Sequence, residues 1–266
     1  MDRLSGRVAL VTGALRGIGL AIATRFAREG ASVTLADLDP ADSPEVAKVL
    51  AALGAGADYR QANVTSEADW AMLAAHMEAR GACHILVNNA GTDLTGAVES
   101  LSLEAWRKIM AVNVDGVFLG TRALVPLMAK SGADVAGGAS VINVSSIMGL
   151  VGYSEVSAYN ASKGAVRLFT KGIAVEFAQK RMPIRANSLH PGFVRTPLLN
   201  AGFQRWVDKG FAQKPEDLVA AMEAATPNGR LAEPEELAGP AAFLASADAS
   251  YMTGAELVID GGWTAQ

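Results

Sequence analysis

Short runs of apolar, β-branched residues recur along the chain, separated by longer stretches whose apolar positions return every three to four residues. The first kind predicts strands over 7–12, 31–37, 58–64, 84–89, 140–146, 184–190 and 256–260. The second predicts helices over 19–29, 67–80, 103–130 and 157–180. Several strands, "VALV" and "ILV" above all, are apolar at successive positions rather than alternating, as strands covered on both faces are. Seven strands joined by helical crossovers give an α/β protein with a parallel sheet between two helical layers. The segment 131–140, rich in Gly and Ala, reads as a flexible connection. Residues 202–229 form a longer insertion with room for one or two short helices, of the kind that covers a ligand.

Composition narrows this picture. A chain of 266 residues, half of them hydrophobic, can build one substantial core, and a single domain over 1–266 is the expectation. The net charge of -4 and the lack of clustered Lys and Arg argue against nucleic-acid binding. The N-terminus has no apolar stretch of signal-peptide length, and nowhere do about 18 uncharged apolar residues follow one another, so a cytoplasmic protein without a membrane partner is expected. Cys83, the one cysteine, has no internal partner and suits a buried small side chain.

Ligands of an open parallel sheet bind beyond the carboxyl ends of its strands. The first strand leaves into "TGALRGIG", with Gly13, Gly17 and Gly19 ahead of a helix whose N-terminal N–H groups can receive a pyrophosphate. No Lys followed by Ser or Thr closes the turn, which excludes a nucleoside-triphosphate P-loop. The second strand ends at Asp37. A carboxylate there accepts both ribose hydroxyls of NAD but repels the 2′-phosphate of NADP by about 4 kcal/mol per unit charge at ~4 Å and a dielectric near 20. NAD is the expected cofactor. Arg16, inside the turn, can reach a 2′-phosphate, pair with Asp37 or stay in solvent, while Asp39 is a weaker rival for the acidic role.

Tyr159 and Lys163, at i and i+4, share one face of a helix made otherwise of small residues. An ammonium beneath a phenol favours its ionised form, and a three-unit drop from a pKa of about 10 corresponds to about 4 kcal/mol. Ser146, at the end of the fifth strand, can donate to a substrate oxygen whose proton Tyr159 exchanges. Taken singly these residues are as readily structural: Ser146 as a strand end, Asn113 as a helix cap or kink. His190, before Pro191, also reads as structural.

These motifs, in order, resemble the short-chain dehydrogenase/reductase family over nearly the whole chain: "TGALRGIG", "NNAG", "VNVDGVF", "VSS", "YNASK" and "PGFVRTP". The resemblance implies a doubly wound Rossmann fold and a catalytic set of Asn113, Ser146, Tyr159 and Lys163. It implies that Ile18, Asn63 and Val64 contact the cofactor, the latter two at adenine, although Asp is commoner than Asn at position 63. Asn89, Ala90 and Gly91 would line the cofactor, with Pro191, Gly192, Val194 and Thr196 at its nicotinamide. Longer stretches such as "AWRKIMAVNVDGVFLGTR" and "DGGWTAQ" are similar to bacterial R-specific secondary-alcohol dehydrogenases, which implies a homotetramer and a Mg²⁺ bound with help from Gln266. The best-known of those are NADP enzymes without an acid at position 37. Met148 and Asp93 stand where they carry a glutamate and a small residue. Met148, Asp93, Tyr153, Phe193 and Leu198, with Ser146, are the expected substrate contacts. A secondary-alcohol dehydrogenase or ketone reductase is the expected activity. A hydroxysteroid dehydrogenase, a 3-oxoacyl-carrier reductase and a non-catalytic dinucleotide sensor are the alternatives.

Overall fold

The computed structural model describes residues 2–266. The seven strands are β1 (Val8–Thr12), β2 (Ser32–Asp37), β3 (Ala57–Gln61), β4 (Ile85–Asn88), β5 (Ala139–Val144), β6 (Ile184–Pro191) and β7 (Glu256–Ile259). They form one parallel sheet in the order β3-β2-β1-β4-β5-β6-β7. The order reverses between β1 and β4, where the outgoing loops part and leave a crevice at the carboxyl edge. The apolar runs are buried on both faces: β4 and β5 have no exposed position.

Among the described residues nine helices flank the sheet: α1 (Gly17–Arg28), α2 (Pro44–Leu53), α3 (Glu67–Ala79), α4 (Leu103–Met110), α5 (Gly116–Gly132), α6 (Ser157–Gln179), α7 (Pro197–Asp208), α8 (Pro215–Ala225) and α9 (Pro234–Ala245). One core cluster joins α1 and α9 to β1, β2 and β4 through Ile22, Phe26, Leu35 and Leu237. The second, with Trp70, Leu73, Met77, Leu124 and Phe177, packs α3, α5 and α6 on the other face. By composition the continuous run Leu103–Gly132 is long and apolar enough to cross a membrane; here it packs on α3, α6 and the sheet.

Three elements differ from the sequence expectation. The helix expected over 103–130 is interrupted by a π turn at Ala111–Asp115, which buries Asn113. The connection 131–140 is tied rather than flexible: buried Arg7 donates to the carbonyls of Gly138 (3.1 Å) and Ala136 (2.5 Å), and buried Arg185 to that of Gly137 (2.8 Å). The strand expected over 58–64 ends at Gln61, so Ala62, Asn63 and Val64 leave the ladder and face the crevice.

A buried polar ladder ties the centre together. Asn88 on β4 donates to Asn143 on β5 (2.9 Å), which donates to Thr170 on α6 (2.9 Å). Gly120 of α5 lies against this seam: a Cβ there would stand 2.8 Å from Asn88 Oδ1 and 2.7 Å from Trp70 Cζ2. Gly120→Ala should therefore destabilise the protein by about 1–3 kcal/mol in urea unfolding, despite alanine's better helix propensity. A stabilised variant would show that the seam has slack.

Candidate active site

At the crevice Gly13 has φ +61°, and a Cβ on it would lie 2.9 Å from Ala90 Cα, so only glycine permits this close crossing. A Cβ on Gly19 would overlap the Gly13 carbonyl oxygen. The turn is fastened from β4: Asn89 Nδ2 donates to the carbonyls of Thr12 (2.9 Å) and Gly13 (3.0 Å). Thr12 Oγ1 accepts from the N–H groups of Asn89 and Ala90, each at 3.0 Å. The first turn of α1 has no side-chain cap, so its N–H groups stay free for an anion.

Asp37 is held by backbone donors at both oxygens, from Leu15 N (3.0 Å) and Leu38 N (2.8 Å). Arg16 pairs with Asp39 at 2.5 Å, not with Asp37. The acidic position is therefore occupied as expected, and the basic residue of the turn is drawn to the rival acid.

On the other side of the crevice α6 presents Tyr159 and Lys163. Buried Lys163 donates to the Val144 carbonyl (2.9 Å), and its Nζ lies 5.7 Å from the Tyr159 ring centroid. Burial lowers the lysine pKa to about 8. The phenol is not lowered, contrary to the expectation: burial raises it to about 12, the Ser146 hydroxyl opposes this, and the charge of Asp93 adds to it. The cation is itself desolvated and its hydrogen bond goes to a backbone carbonyl, so it does not offset the burial of its neighbour.

Ser146 follows β5, and its Oγ accepts from Met148 N (3.1 Å). His190, fully buried, bonds the Ser146 carbonyl through Nδ1 (2.9 Å) and Ser188 Oγ through Nε2 (2.8 Å), a structural post. Asn113 exchanges two 2.8 Å bonds with the main chain of Thr92 and donates to Ser162 Oγ at 3.0 Å. Gly91 fits between Asn113 Oδ1 and Lys163 Nζ.

All the nominated residues line one cleft of about 850 Å³ except Gly19, which packs under the turn, Asn113, which lies beneath the floor, and Gln266. Thr196 lines the cleft while its hydroxyl caps α7 through Leu199 N (3.2 Å). Asn63 Oδ1 is engaged by Thr65 N and Oγ1. The substrate end is walled by Tyr153, Phe193 and Trp206, with Trp263 edge-to-face against Phe193 at 4.8 Å. Gln266 is exposed, and its amide donates to the Ala225 carbonyl (3.1 Å). Among the described residues no three His, Cys, Asp or Glu converge as a metal site.

Sequence reasoning missed Thr12, Asn160 and Trp206. Asn160 clamps the substrate loop by donating to the Met148 (2.7 Å) and Val151 (2.9 Å) carbonyls. Its position inside "YNASK" was a usable signal. Trp206, within the insertion, had none beyond being an aromatic on a helix.

A glycine cradle with free helix N–H groups, an acid at the second strand and a Ser/Tyr/Lys cluster facing them define a dinucleotide-dependent oxidoreductase site. The chain matches, over residues 13–264, the family model described as Enoyl-(Acyl carrier protein) reductase. It is 40% identical to the NADP-dependent (R)-specific alcohol dehydrogenase of Lentilactobacillus kefiri, over 100% of this chain and 99% of that one. It is 41% identical to the 3-alpha-(or 20-beta)-hydroxysteroid dehydrogenase of Mycobacterium tuberculosis (strain ATCC 25618 / H37Rv), covering 99% and 91%. Among solved structures, a short-chain type dehydrogenase/reductase from Mycobacterium marinum superposes with TM-score 0.88 at 36% identity, over 100% of this chain and 98% of that one. The chain belongs to the short-chain dehydrogenase/reductase family.

The buried lysine gives a stability test. Its folded pKa of about 8 lies below the ordinary 10.5, so between these values the unfolded chain binds more protons and stability rises with pH. Tyr159, raised from 10.0 to about 12, acts oppositely only above pH 10, where the folded state binds more protons. The stability of the wild type relative to Lys163→Met should increase by about 2–3 kcal/mol from pH 7 to 10.5 in denaturant titrations. A pH-independent difference would mean that the ammonium is solvated.

Proposed function

We propose that the protein is an NAD(H)-dependent oxidoreductase that interconverts secondary alcohols and ketones. The observation that carries this is the placement of the Ser146, Tyr159 and Lys163 side chains in the same cleft as the glycine turn and Asp37. Glycine at 13 and 19 lets the turn lie against Asn89, Ala90 and its own carbonyl, and the first turn of α1 carries no side-chain cap, so its N–H groups fit the pyrophosphate of the cofactor. A bound nicotinamide dinucleotide supplies the hydride acceptor for alcohol oxidation, or the donor for ketone reduction.

In this reading Ser146 donates to the substrate oxygen and Tyr159 exchanges its proton there. Asn113 and Gly91 fix the floor, and Lys163 supplies the nearest cation to the ring. With its pKa raised to about 12, Tyr159 holds its proton near neutrality, the form that gives a proton to a ketone oxygen. Alcohol oxidation needs the deprotonated form, which becomes available as pH rises. Asp37, bonded at both oxygens by backbone N–H groups, supports NAD over NADP; the L. kefiri relative, NADP-dependent by name, is the contrast to be tested. We place the enzyme in the cytoplasm, as a homotetramer acting on a small-molecule substrate, with neither nucleic acid nor membrane as partner. Exposed Phe118, Leu168 and Val175 on α5 and α6 support such an assembly. Any magnesium at Gln266 would be shared between copies and takes no part in the chemistry.

A second reading, a hydroxysteroid dehydrogenase, is favoured by the volume of the cleft and its aromatic wall. A 3-oxoacyl-carrier reductase and a non-catalytic sensor draw less support, since no catalytic position is altered and no basic patch awaits an acidic carrier.

Absorbance at the NADH band across aryl ketones, cyclic alcohols and steroids should show turnover; tight NADH binding with none across the panel would point to the sensor. Tyr159→Phe should lose at least about a hundredfold in kcat while retaining NADH binding by fluorescence. An active variant would remove the proton role. Asp37→Ala should shift the NAD:NADP ratio of kcat/KM toward NADP by about tenfold or more. An unchanged ratio would refute the assignment of cofactor choice to Asp37. In pH profiles, ketone reduction should decline and alcohol oxidation climb toward alkaline pH; the reverse order would contradict a phenol as the proton carrier.

A further inference from the structure

Three carboxylates line the cleft. Asp37 and Asp39 stand at the glycine turn, whereas Asp93 stands near enough to Tyr159 for its charge to raise the phenol. Asp93 Oδ1 accepts from Arg205 Nη2 on α7, and Oδ2 takes no hydrogen bond from any other described residue. That oxygen lies beside Gly202, where a Cβ would come within 2.8 Å.

The loop that carries Asp93 is fixed on both sides. Thr92 is bonded to Asn113 through both its N–H and its C=O, at 2.8 Å each. Thr95 accepts from Trp206 Nε1 at its hydroxyl (3.1 Å) and from Lys209 Nζ at its carbonyl (2.5 Å). The carboxylate is thus anchored in the cleft that the rings of Tyr153, Phe193 and Trp206 also line. Burial raises its pKa, and Arg205 opposes this. A half-desolvated acceptor with one open oxygen gains from a donor on a ligand and loses from a like charge.

Building on the proposed oxidoreductase activity, we infer that Asp93 is a specificity-determining residue: its free Oδ2 accepts a hydrogen bond from a hydroxyl or ammonium group remote from the reacting carbon, and it rejects substrates with a carboxylate there. Arg205 is a positioning residue that holds Oδ1 and leaves Oδ2 beside Gly202, which itself lines the cleft. The preferred substrates are accordingly hydroxy- or amino-substituted ketones and their alcohols rather than keto acids.

The test compares kcat/KM for aryl methyl ketones bearing methyl, hydroxymethyl, aminomethyl or carboxylate groups at the meta or para position. Each is expressed relative to the methyl compound within the same enzyme, so that a general loss of activity cancels. The wild type should favour hydroxymethyl or aminomethyl, and disfavour carboxylate, by about tenfold or more. Asp93→Asn should collapse the ammonium preference and the carboxylate penalty together. If that variant does not fold, Arg205→Gln, measured at pH 8, should deepen the carboxylate penalty, because it removes the countercharge and keeps the acid. A wild type indifferent to the four groups, or ratios the same in either variant, would overturn the inference and leave the general activity standing. Failure to turn over the methyl compound together with all the others would bring down both.

Discussion

The side chain of Asn113 is the constraint on which the site is assembled. It is buried, carries three hydrogen bonds, and sits in a π turn between two α-helical stretches. Its amide joins the loop after β4 to Ser162 on α6, one turn from Tyr159 and beside Lys163. Without it the N–H and C=O of Thr92 would lose partners in a partly buried place, at about 1–3 kcal/mol each. The wider turn is the local price of aiming one side chain at two elements. Gly91, Asp93 and the helix bearing the tyrosine thereby share one reference point.

Burial shapes the electrostatics more than pairing does. The lysine is pushed down and the phenol up, both first by loss of water. At the other end backbone N–H groups meet Asp37 directly, and Arg16 pairs with Asp39. One end of the cleft is thus built from fixed dipoles and the other from hydroxyls, a buried amine and the Asp93–Arg205 pair beside aromatic rings.

Much of this was legible in the chain. Apolar runs marked the central strands, because parallel strands buried on both faces leave an unmistakable composition, whereas the edge strand β3 buries only Tyr59; spacing placed Tyr159 and Lys163 on one helical face. The segment α2 went unassigned although Ser43 accepts from Val46 N (3.4 Å) and Pro44 opens it, a start signal written in the sequence. The π turn was legible only as a kink at Asn113: Val112, Asn113, Val114 and Asp115 are weak helix formers, but it is Thr92 and Ser162, distant in sequence, that call for the extra residue. The tied 131–140 connection was hidden for the same reason, since Arg7 and Arg185 reach it from elsewhere in the sheet. Thr12 acts through bonds to backbone N–H groups, which leave no pattern of their own.

The chain has three histidines, and each is spent on architecture. His84 accepts from Val8 N at 2.9 Å, His76 faces Asp58 at 3.0 Å, and His190 is closed off between Ser146 and Ser188. Burial also pushes His84 and His190 below the ordinary imidazole range. None of the three lines the cleft, so the site works without the usual titrating group of the physiological window. Alkalinisation from pH 7 towards 8 instead acts there through Lys163, lowered by burial to about 8, while the phenol of Tyr159, raised to about 12, keeps its proton.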